Sequence, residues 1–214
     1  MAAENFHKDV FERIPDSKRE RIFRSAMQEF AKEGYTAANI NTIAGNAGIS
    51  IGSMYTYFPS KENLYLAISE CGVGIFQEII EKLSEVKGFY AVVERLFEFA
   101  IQYSSENKDI SRMYLELTTH QMNSMSERLA DKMELDFRDL YTSLLLAGQQ
   151  SGEVRADVDV GFAAKFIDDC VVSLQYGASV NYYQLRQRQY LGENMSREQV
   201  VANMMDLVRR YLAP

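Results

Sequence analysis

The sequence is poor in the residues that support catalysis and cofactor binding. Its 214 residues include two histidines, two cysteines, three prolines and no tryptophan. It contains no G-x-G-x-x-G, P-loop or H-E-x-x-H motif, and no pairing of a nucleophile with a histidine that would indicate a catalytic centre. We therefore expect neither an enzyme nor a site for a cofactor or a metal ion.

Long apolar runs are also missing. No stretch approaches the ~18 residues that a membrane helix needs, and the N-terminal residues lack the apolar centre of a signal peptide. Cys71 and Cys170 are far apart and each lies in an apolar helical stretch, so we interpret them as reduced packing residues. The sequence thus predicts a cytoplasmic protein without a membrane partner.

The net charge of −7 is distributed unevenly. Residues 1–65 contain eight Lys or Arg and eight Asp or Glu, whereas residues 66–214 contain fifteen and twenty-two. The N-terminal part is neutral and the remainder carries the whole negative charge, which is the direction expected if the N-terminal part approaches nucleic acid. Because this part is not basic overall, contacts with phosphates must come from individually placed donors and helix N-termini.

Residues 39–61 have the pattern of two short helices separated by a turn. Asn39 is suited to an N-cap, and apolar residues then recur at i, i+3, i+4 and i+7 from Ile40. Gly48 is suited to the left-handed turn that ends the first helix, and Ser50 to the N-cap of a second helix that continues through Phe58. The pattern predicts a helix-turn-helix; the alternative is a purely structural helical hairpin.

This stretch, I-A-G-N-A-G-I-S-I-G-S-M-Y-T-Y-F-P-S-K-E-N-L, resembles the tetracycline-repressor (TetR-type) family of bacterial transcription regulators. The matching positions are Ile43, Ala44, Ala47, Gly48, Gly52, Tyr55, Phe58, Lys61 and Leu64. The resemblance covers residues 15–68, less than a third of the chain.

Helical spacing of apolar residues runs through almost the whole chain, and no segment alternates like a strand. A first helix is predicted from about Pro15 to Glu33, with Ser17 and Glu20 as a capping box. After a connector helix that begins at Ser60, further helices are expected near residues 87–105, 106–121, 126–150, 158–183 and 196–212. The predicted fold is all-α. Residues 1–60 form a three-helix helix-turn-helix domain, and residues 61–214 form a larger helical domain for effector binding and dimerisation.

The second short helix is expected to enter the major groove of DNA. The candidate DNA-binding residues are Asn39, Ser50, Ile51, Gly52, Ser53, Tyr55, Thr56, Tyr57 and Lys61, whereas Ile49, Met54 and Phe58 should face the protein. The resemblance implies that Tyr55 and Lys61 hold phosphates and that positions 51, 53 and 56 vary with the operator. Ile51 stands where relatives often carry a polar residue, which leaves more of the specificity to DNA shape.

One short recognition helix contacts few base pairs, so a second copy is needed about one helical turn of DNA, ~34 Å, away. The expected partners are therefore a second copy of the chain and a palindromic double-stranded operator. The predicted dimer interface lies on the last two long helices, at Ala163, Phe166, Cys170, Leu174, Gly177, Val201, Met204, Val208 and Tyr211. The resemblance implies the same surface; the alternative is that these residues form the core of one chain.

An effector pocket is expected in the larger domain. Its candidate residues are Phe76, Phe97, Tyr103, Met113, Glu116, Leu117, His120, Tyr141, Phe166, Asp169 and Tyr176, and ordinary core packing is the alternative for each. Glu116 and His120 are spaced i, i+4, which would suit a ligand or a helix ion pair. Gly72 and Gly74 interrupt the connector helix, and we hypothesise that they let it bend when the effector binds.

Together these features predict a ligand-responsive DNA-binding transcription regulator. We expect a homodimeric repressor that is released from its operator by a small, largely apolar effector. The alternative is a helix-turn-helix regulator that is controlled by a protein partner.

Overall fold

The computed structural model describes residues 5–214, except for the side chains of residues 71–78 and 131–136. About 80% of the chain is helical, and the described residues contain no β-strand, which confirms the all-α prediction. No helix among the described residues is long and apolar enough to cross a membrane. The helices are α1 (Asp9–Glu12), α2 (Asp16–Ala37), α3 (Ile40–Asn46), α4 (Ile51–Tyr57), α5 (Lys61–Ser84), α6 (Phe89–Glu106), α7 (Lys108–Leu117), α8 (Asn123–Ser151), α9 (Val160–Ser179), α10 (Asn181–Leu191) and α11 (Arg197–Leu212).

The chain divides into two compact units. The first comprises the residues up to Ile75 together with Arg112–Met133, and the second comprises Phe76–Ser111 and Glu134–Pro214. The sequence-based division after residue 60 remains a prediction.

The first unit is built on α2, which packs against α3, while α3 packs against α4. Ile22, Ala26 and Phe30 are spaced four residues apart on α2 and are all buried, as helical periodicity requires of a core-facing stripe. The capping box predicted at Ser17 and Glu20 is wrong. Pro15 occupies the N-cap of α2 without a side-chain hydrogen bond, so Ser17 lies inside the first turn of the helix and not at its N-cap.

The predicted ends of the two short helices are confirmed. The Asn39 side chain accepts a hydrogen bond from the Asn41 N–H, and the Ser50 side chain accepts one from the Ser53 N–H. Gly48 has φ +67°, a left-handed conformation that costs a residue with a Cβ about 1 kcal/mol. These local signals fix where α3 stops and where α4 starts.

The second unit has its core between α6 and α9, with α11 packed on α6. Phe97, Leu145, Ala163 and Val208 are fully buried in this core. The predicted helix over 158–183 is divided in the structure, because Val180 is extended (φ −104°, ψ 121°) and separates α9 from α10. Neither proline nor glycine marks this break, so the helical spacing gave no warning of it.

Candidate nucleic-acid interface

Helix α4 presents one exposed face. Ile51, Gly52, Tyr55 and Thr56 are exposed and follow the spacing i, i+1, i+4, i+5, which places them side by side on a helix. The opposite face anchors α4 to the first unit through Met54 and Phe58, each 1% exposed. One face of α4 is therefore packed against the first unit, and the opposite face is exposed to solvent, with Ile51 38% and Tyr55 49% exposed.

Small hydroxyl groups lie along the same helix and form hydrogen bonds within this segment. The Ser50 Oγ lies 2.9 Å from the Ser53 Oγ, and the Thr56 hydroxyl donates to the Gly52 carbonyl oxygen at 2.9 Å. A donor engaged in this way must be released before it can read a base edge. The Thr56 methyl group and the Ile51 side chain remain free for apolar contact with thymine methyl groups.

Tyr57 was expected to face outward, and this expectation is wrong. Its side chain is 6% exposed, and its hydroxyl accepts a hydrogen bond from the Lys18 Nζ at 3.0 Å. The ring lies 5.7 Å from that of Phe11. Tyr57 therefore belongs to the support of α4, because position 57 lies one turn after the buried Met54.

Sequence reasoning missed the segment that supports α4 from the N-terminal side. Phe11 on α1 is 2% exposed, and its ring centroid lies 4.7 Å from that of Phe58. Lys8 donates two hydrogen bonds to the last turn of α4. Its backbone N–H donates to the Tyr57 carbonyl oxygen at 2.9 Å, and its side-chain Nζ donates to the Tyr55 carbonyl oxygen at 3.1 Å. The signal for this segment was the pair of apolar residues Phe6 and Phe11 amid charged neighbours.

Lys61 lies in the first turn of α5 and is half-buried. Its Nζ donates to the carbonyl oxygens of Thr36 and Ala38, each at 3.1 Å, and lies 4.8 Å from the centre of the Tyr35 ring. An ammonium group has three N–H donors, so one donor remains for a phosphate. Asn39, the remaining candidate, is exposed beside this segment, and its own N–H donates to Glu29 at 3.0 Å.

The predicted effector residues are divided between the two units. Met113, Glu116, Leu117 and His120 belong to the first unit. Helix α7 ends at Leu117 and His120 begins a single 3-10 turn, so Glu116 and His120 do not share a helix face as predicted. The Glu116 carboxylate instead accepts a hydrogen bond from the Tyr35 N–H at 2.7 Å.

In the second unit, Phe97 and Tyr141 are buried core residues, 0% and 3% exposed, which favours the packing alternative for both. Asp169 is exposed and forms an ion pair with Lys165. The remaining second-unit candidates, all half-buried, are Tyr103, Phe166 and Tyr176. Phe76 and the glycines at 72 and 74 lie outside the residues whose side chains are described, as does Cys71.

The nine predicted dimer residues fall into two groups. Ala163, Cys170, Leu174, Val201 and Val208 are buried in the core of the second unit within a single chain, which favours the intramolecular alternative for these five. Burial, followed by the nearby Asp169 carboxylate, raises the pKa of the Cys170 thiol to about 11. Phe166, Gly177, Met204 and Tyr211 are only half-buried. Two further residues on the same two helices, Phe162 and Leu207, are 67% and 59% exposed.

Comparison with known proteins relates the helix-turn-helix segment to a known family. Residues 22–68 match the family described as bacterial regulatory proteins, tetR family. The HTH-type transcriptional repressor KstR2 of Rhodococcus jostii (strain RHA1) is 28% identical over 156 residues, which are 71% of this chain and 75% of that protein. The family and such relatives are transcription regulators and not enzymes.

Solved structures share the fold. The transcriptional regulator FadR from Bacillus subtilis, in complex with stearoyl-CoA, matches with a TM-score of 0.75 at 17% identity, over 90% of this chain and 98% of that one. AibR, in complex with isovaleryl coenzyme A and operator DNA, matches with a TM-score of 0.64 at 16% identity over the same shares of the two chains. At these identities the likeness concerns the fold.

Proposed function

We propose that this chain, which belongs to the tetR family of bacterial regulatory proteins, is a homodimeric repressor that leaves its operator when a small, largely apolar effector binds. Proteins of this family bind DNA and regulate transcription. The dimer, the operator release and the effector are our proposals.

The observation that carries the DNA-binding role is the exposed face of α4. A glycine at the second position of this helix supports it. A Cβ placed on Gly52 would meet only the Ser50 Oγ, at 3.9 Å. Glycine inside a helix costs up to about 1 kcal/mol relative to alanine, and no neighbour within the first unit requires it. A phosphate or a base edge that approaches the backbone of α4 explains its presence.

The proposed dimer surface lies on the outer side of α9 and α11. Phe162 and Phe166 on α9 lie 6.5 and 5.5 Å, ring centre to ring centre, from Tyr211 on α11. Together with Leu207 these side chains form an apolar patch. Met204 precedes Leu207 by one helical turn on α11. A second copy that covers this patch would bury the same residues on both chains, as a two-fold interface requires.

For the effector we propose an acyl-coenzyme A. FadR and AibR, which share the fold, were each solved with such a thioester. An acyl chain meets the expectation of a largely apolar ligand, and the half-buried aromatic residues Tyr103 and Tyr176 are the side chains that we propose to contact it. Control by a protein partner is the alternative.

The direct test is footprinting of the purified protein on the DNA that flanks its own gene. We expect one protected palindromic site, which stearoyl-CoA or isovaleryl-CoA clears at micromolar concentration. Release by a co-purifying protein at a fixed stoichiometry, and by no acyl-CoA, would favour the alternative. Absence of any protected site would refute the DNA-binding role.

A matched pair of variants separates DNA contact from folding. Gly52→Ala should raise the thermal stability slightly because alanine favours helix, yet weaken operator binding at least tenfold because a methyl group would meet the DNA. Gly161→Ala is the control. Gly161 is also exposed and second in its helix, α9, behind a side-chain N-cap, and its replacement should leave binding unchanged. Equal operator affinity for the two variants would contradict close approach at Gly52.

A further inference from the structure

We propose that Glu116 is a positioning residue for DNA recognition. Its carboxylate fixes the backbone turn that leads into the helix-turn-helix, and so sets the orientation of α3 and α4 on α2. The proposal rests on the proposed DNA-binding function. It concerns a residue outside the helix-turn-helix segment, on α7.

The turn begins where α2 breaks. Gly34 has φ +75° and ψ 163° inside the helical span of α2, a combination that is essentially restricted to glycine. Because the helix is interrupted there, the next N–H group, that of Tyr35, points away from the helical ladder. It donates to the Glu116 Oε1 at 2.7 Å. The same oxygen would lie 3.1 Å from a Cβ at position 34, so glycine also provides the room for this carboxylate.

Glu116 is itself held in place. The Tyr65 hydroxyl donates to the Met113 carbonyl oxygen at 2.8 Å and lies 3.3 Å from the Glu116 Oε2. Tyr65 is fully buried, and its ring packs edge-on against Tyr35 at 5.3 Å. Burial, then the Glu116 charge, raise the pKa of Tyr65, so the hydroxyl remains a donor at neutral pH.

The far end of the turn is held by the opposite charge. The Lys61 Nζ donates to the Thr36 and Ala38 carbonyl oxygens. An anion at the N–H end and a cation at the C=O end match the dipole of the helical turn between them. Glu29 then accepts a hydrogen bond from the Asn39 N–H at 3.0 Å, immediately before α3 begins. Side chains from three helices, α2, α5 and α7, thus fix residues 35–39.

This arrangement has a mechanical consequence. Only residues 34–39 separate the straight part of α2 from α3, and α4 follows α3 after a four-residue connection. A turn with its N–H group released would allow the pair α3 and α4 to sample several orientations. DNA would then bind only one of these orientations. The observed association constant would equal the intrinsic one multiplied by the fraction of molecules in that orientation.

The test uses the full-length protein and the duplex recovered by footprinting. We would measure DNA affinity by fluorescence anisotropy, at a temperature where every variant is folded, over a range of salt concentrations. Glu116→Ala should weaken binding about tenfold, because a charge-assisted hydrogen bond is lost. Glu116→Gln keeps an acceptor oxygen and should recover most of the affinity. Glu127→Gln, an exposed carboxylate change in the same unit, is the control and should have no effect.

Two further readouts separate positioning from other roles. The slope of log affinity against log salt should be the same for all variants, since Glu116 neutralises no phosphate. Hydrogen exchange of the peptide containing Tyr35 should become at least tenfold faster in Glu116→Ala, without DNA present. Tyr65→Phe, which removes the support of Glu116, should give an intermediate loss of affinity.

The outcomes are distinguishable. Binding of no duplex by the wild-type protein would remove the proposed function, and the positioning role with it. Wild-type binding with equal affinity for Glu116→Ala and Glu127→Gln would overturn the positioning role alone. A lower melting temperature for Glu116→Ala without loss of affinity would reduce Glu116 to a stabilising contact.

Discussion

Replacement of Lys61 by methionine tests whether one lysine both stabilises the first unit and holds DNA. Methionine keeps the length and apolar character of the side chain, so the variant isolates the ammonium group. That group makes two hydrogen bonds to the carbonyls of Thr36 and Ala38 and lies 4.8 Å from the Tyr35 ring centre.

The expected loss of stability follows from these contacts. Two hydrogen bonds from a charged donor, discounted because Lys61 is half-exposed, contribute about 1–2 kcal/mol. The contact with the Tyr35 ring adds about 0.5–1 kcal/mol. A cation in the first turn of α5 opposes the helix dipole, which offsets about 0.3–1 kcal/mol. The net loss is about 1–2 kcal/mol, or ~3–6 °C in melting temperature for a chain of this size.

The effect on DNA comes from the third N–H. If it holds one phosphate, Lys61→Met should lower the salt slope of operator binding by about 0.9 per chain and about 1.8 per dimer. Melting curves and salt titrations of the same preparations measure both effects. Lys32→Met, at an exposed lysine paired with Glu33, is the control and should change neither quantity.

The two outcomes are independent. A lower melting temperature with an unchanged salt slope would refute the phosphate contact that the resemblance implies. An unchanged melting temperature with a lower slope would refute the role of Lys61 in holding the turn at residues 35–38.

Four further predictions follow from burial and backbone geometry. Gly34→Ala should destabilise the first unit by about 1–3 kcal/mol, because its backbone conformation is strained for a residue with a Cβ; an unchanged melting temperature would contradict the break in α2. Phe11→Ala should cost about 3 kcal/mol and weaken DNA binding, since the buried ring supports α4 from behind; urea titration and anisotropy measure the two losses. The pair Phe162→Asp and Leu207→Asp should give a folded monomer by light scattering, and a persistent dimer would place the interface elsewhere. Cys170, whose pKa is raised to about 11 by burial, should react slowly with iodoacetamide below pH 9 in the native protein and rapidly in urea, as peptide mass mapping would show. Because this pKa lies above the ordinary value of a thiol, ionisation of Cys170 should lower the stability of the fold only as the pH rises from about 9 to 11.

Local signals in the sequence predicted the helix-turn-helix well. The N-caps at Asn39 and Ser50 and the turn at Gly48 lie where residue type alone indicated, because short side-chain oxygens and a missing Cβ act within three residues of their position. The face of α4 followed from the same periodicity, apart from Tyr57. Tyr57 is buried because its ring packs near Phe11 behind α4 while its hydroxyl accepts a hydrogen bond from Lys18.

The features that the sequence did not predict depend on contacts far apart in the chain. The role of Glu116 requires Tyr35, 81 residues away, and the N-terminal support of α4 requires Phe11 to meet Phe58. Helical spacing also could not separate a dimer surface from a core, because α9 and α11 carry apolar residues on both sides. The structure distinguishes the core from the exposed surface, because Val208 is buried and its neighbour Leu207 is exposed.

These contacts bear on how a neutral domain can select DNA. The reading face of α4 offers Ile51, Gly52 and hydroxyl groups that are hydrogen-bonded within the helix, so it has few free donors for base edges. By contrast, α4 is held directly by Phe11 and Lys8, and the turn that leads into α3 is fixed by Lys61 and Glu116. A rigid helix with a small, largely apolar face distinguishes sequences chiefly by close fit, through thymine methyl groups and groove shape, rather than by hydrogen-bond pairing. Specificity then depends on the precision with which the support holds α4, and residues that never touch DNA should matter to it as much as those that do.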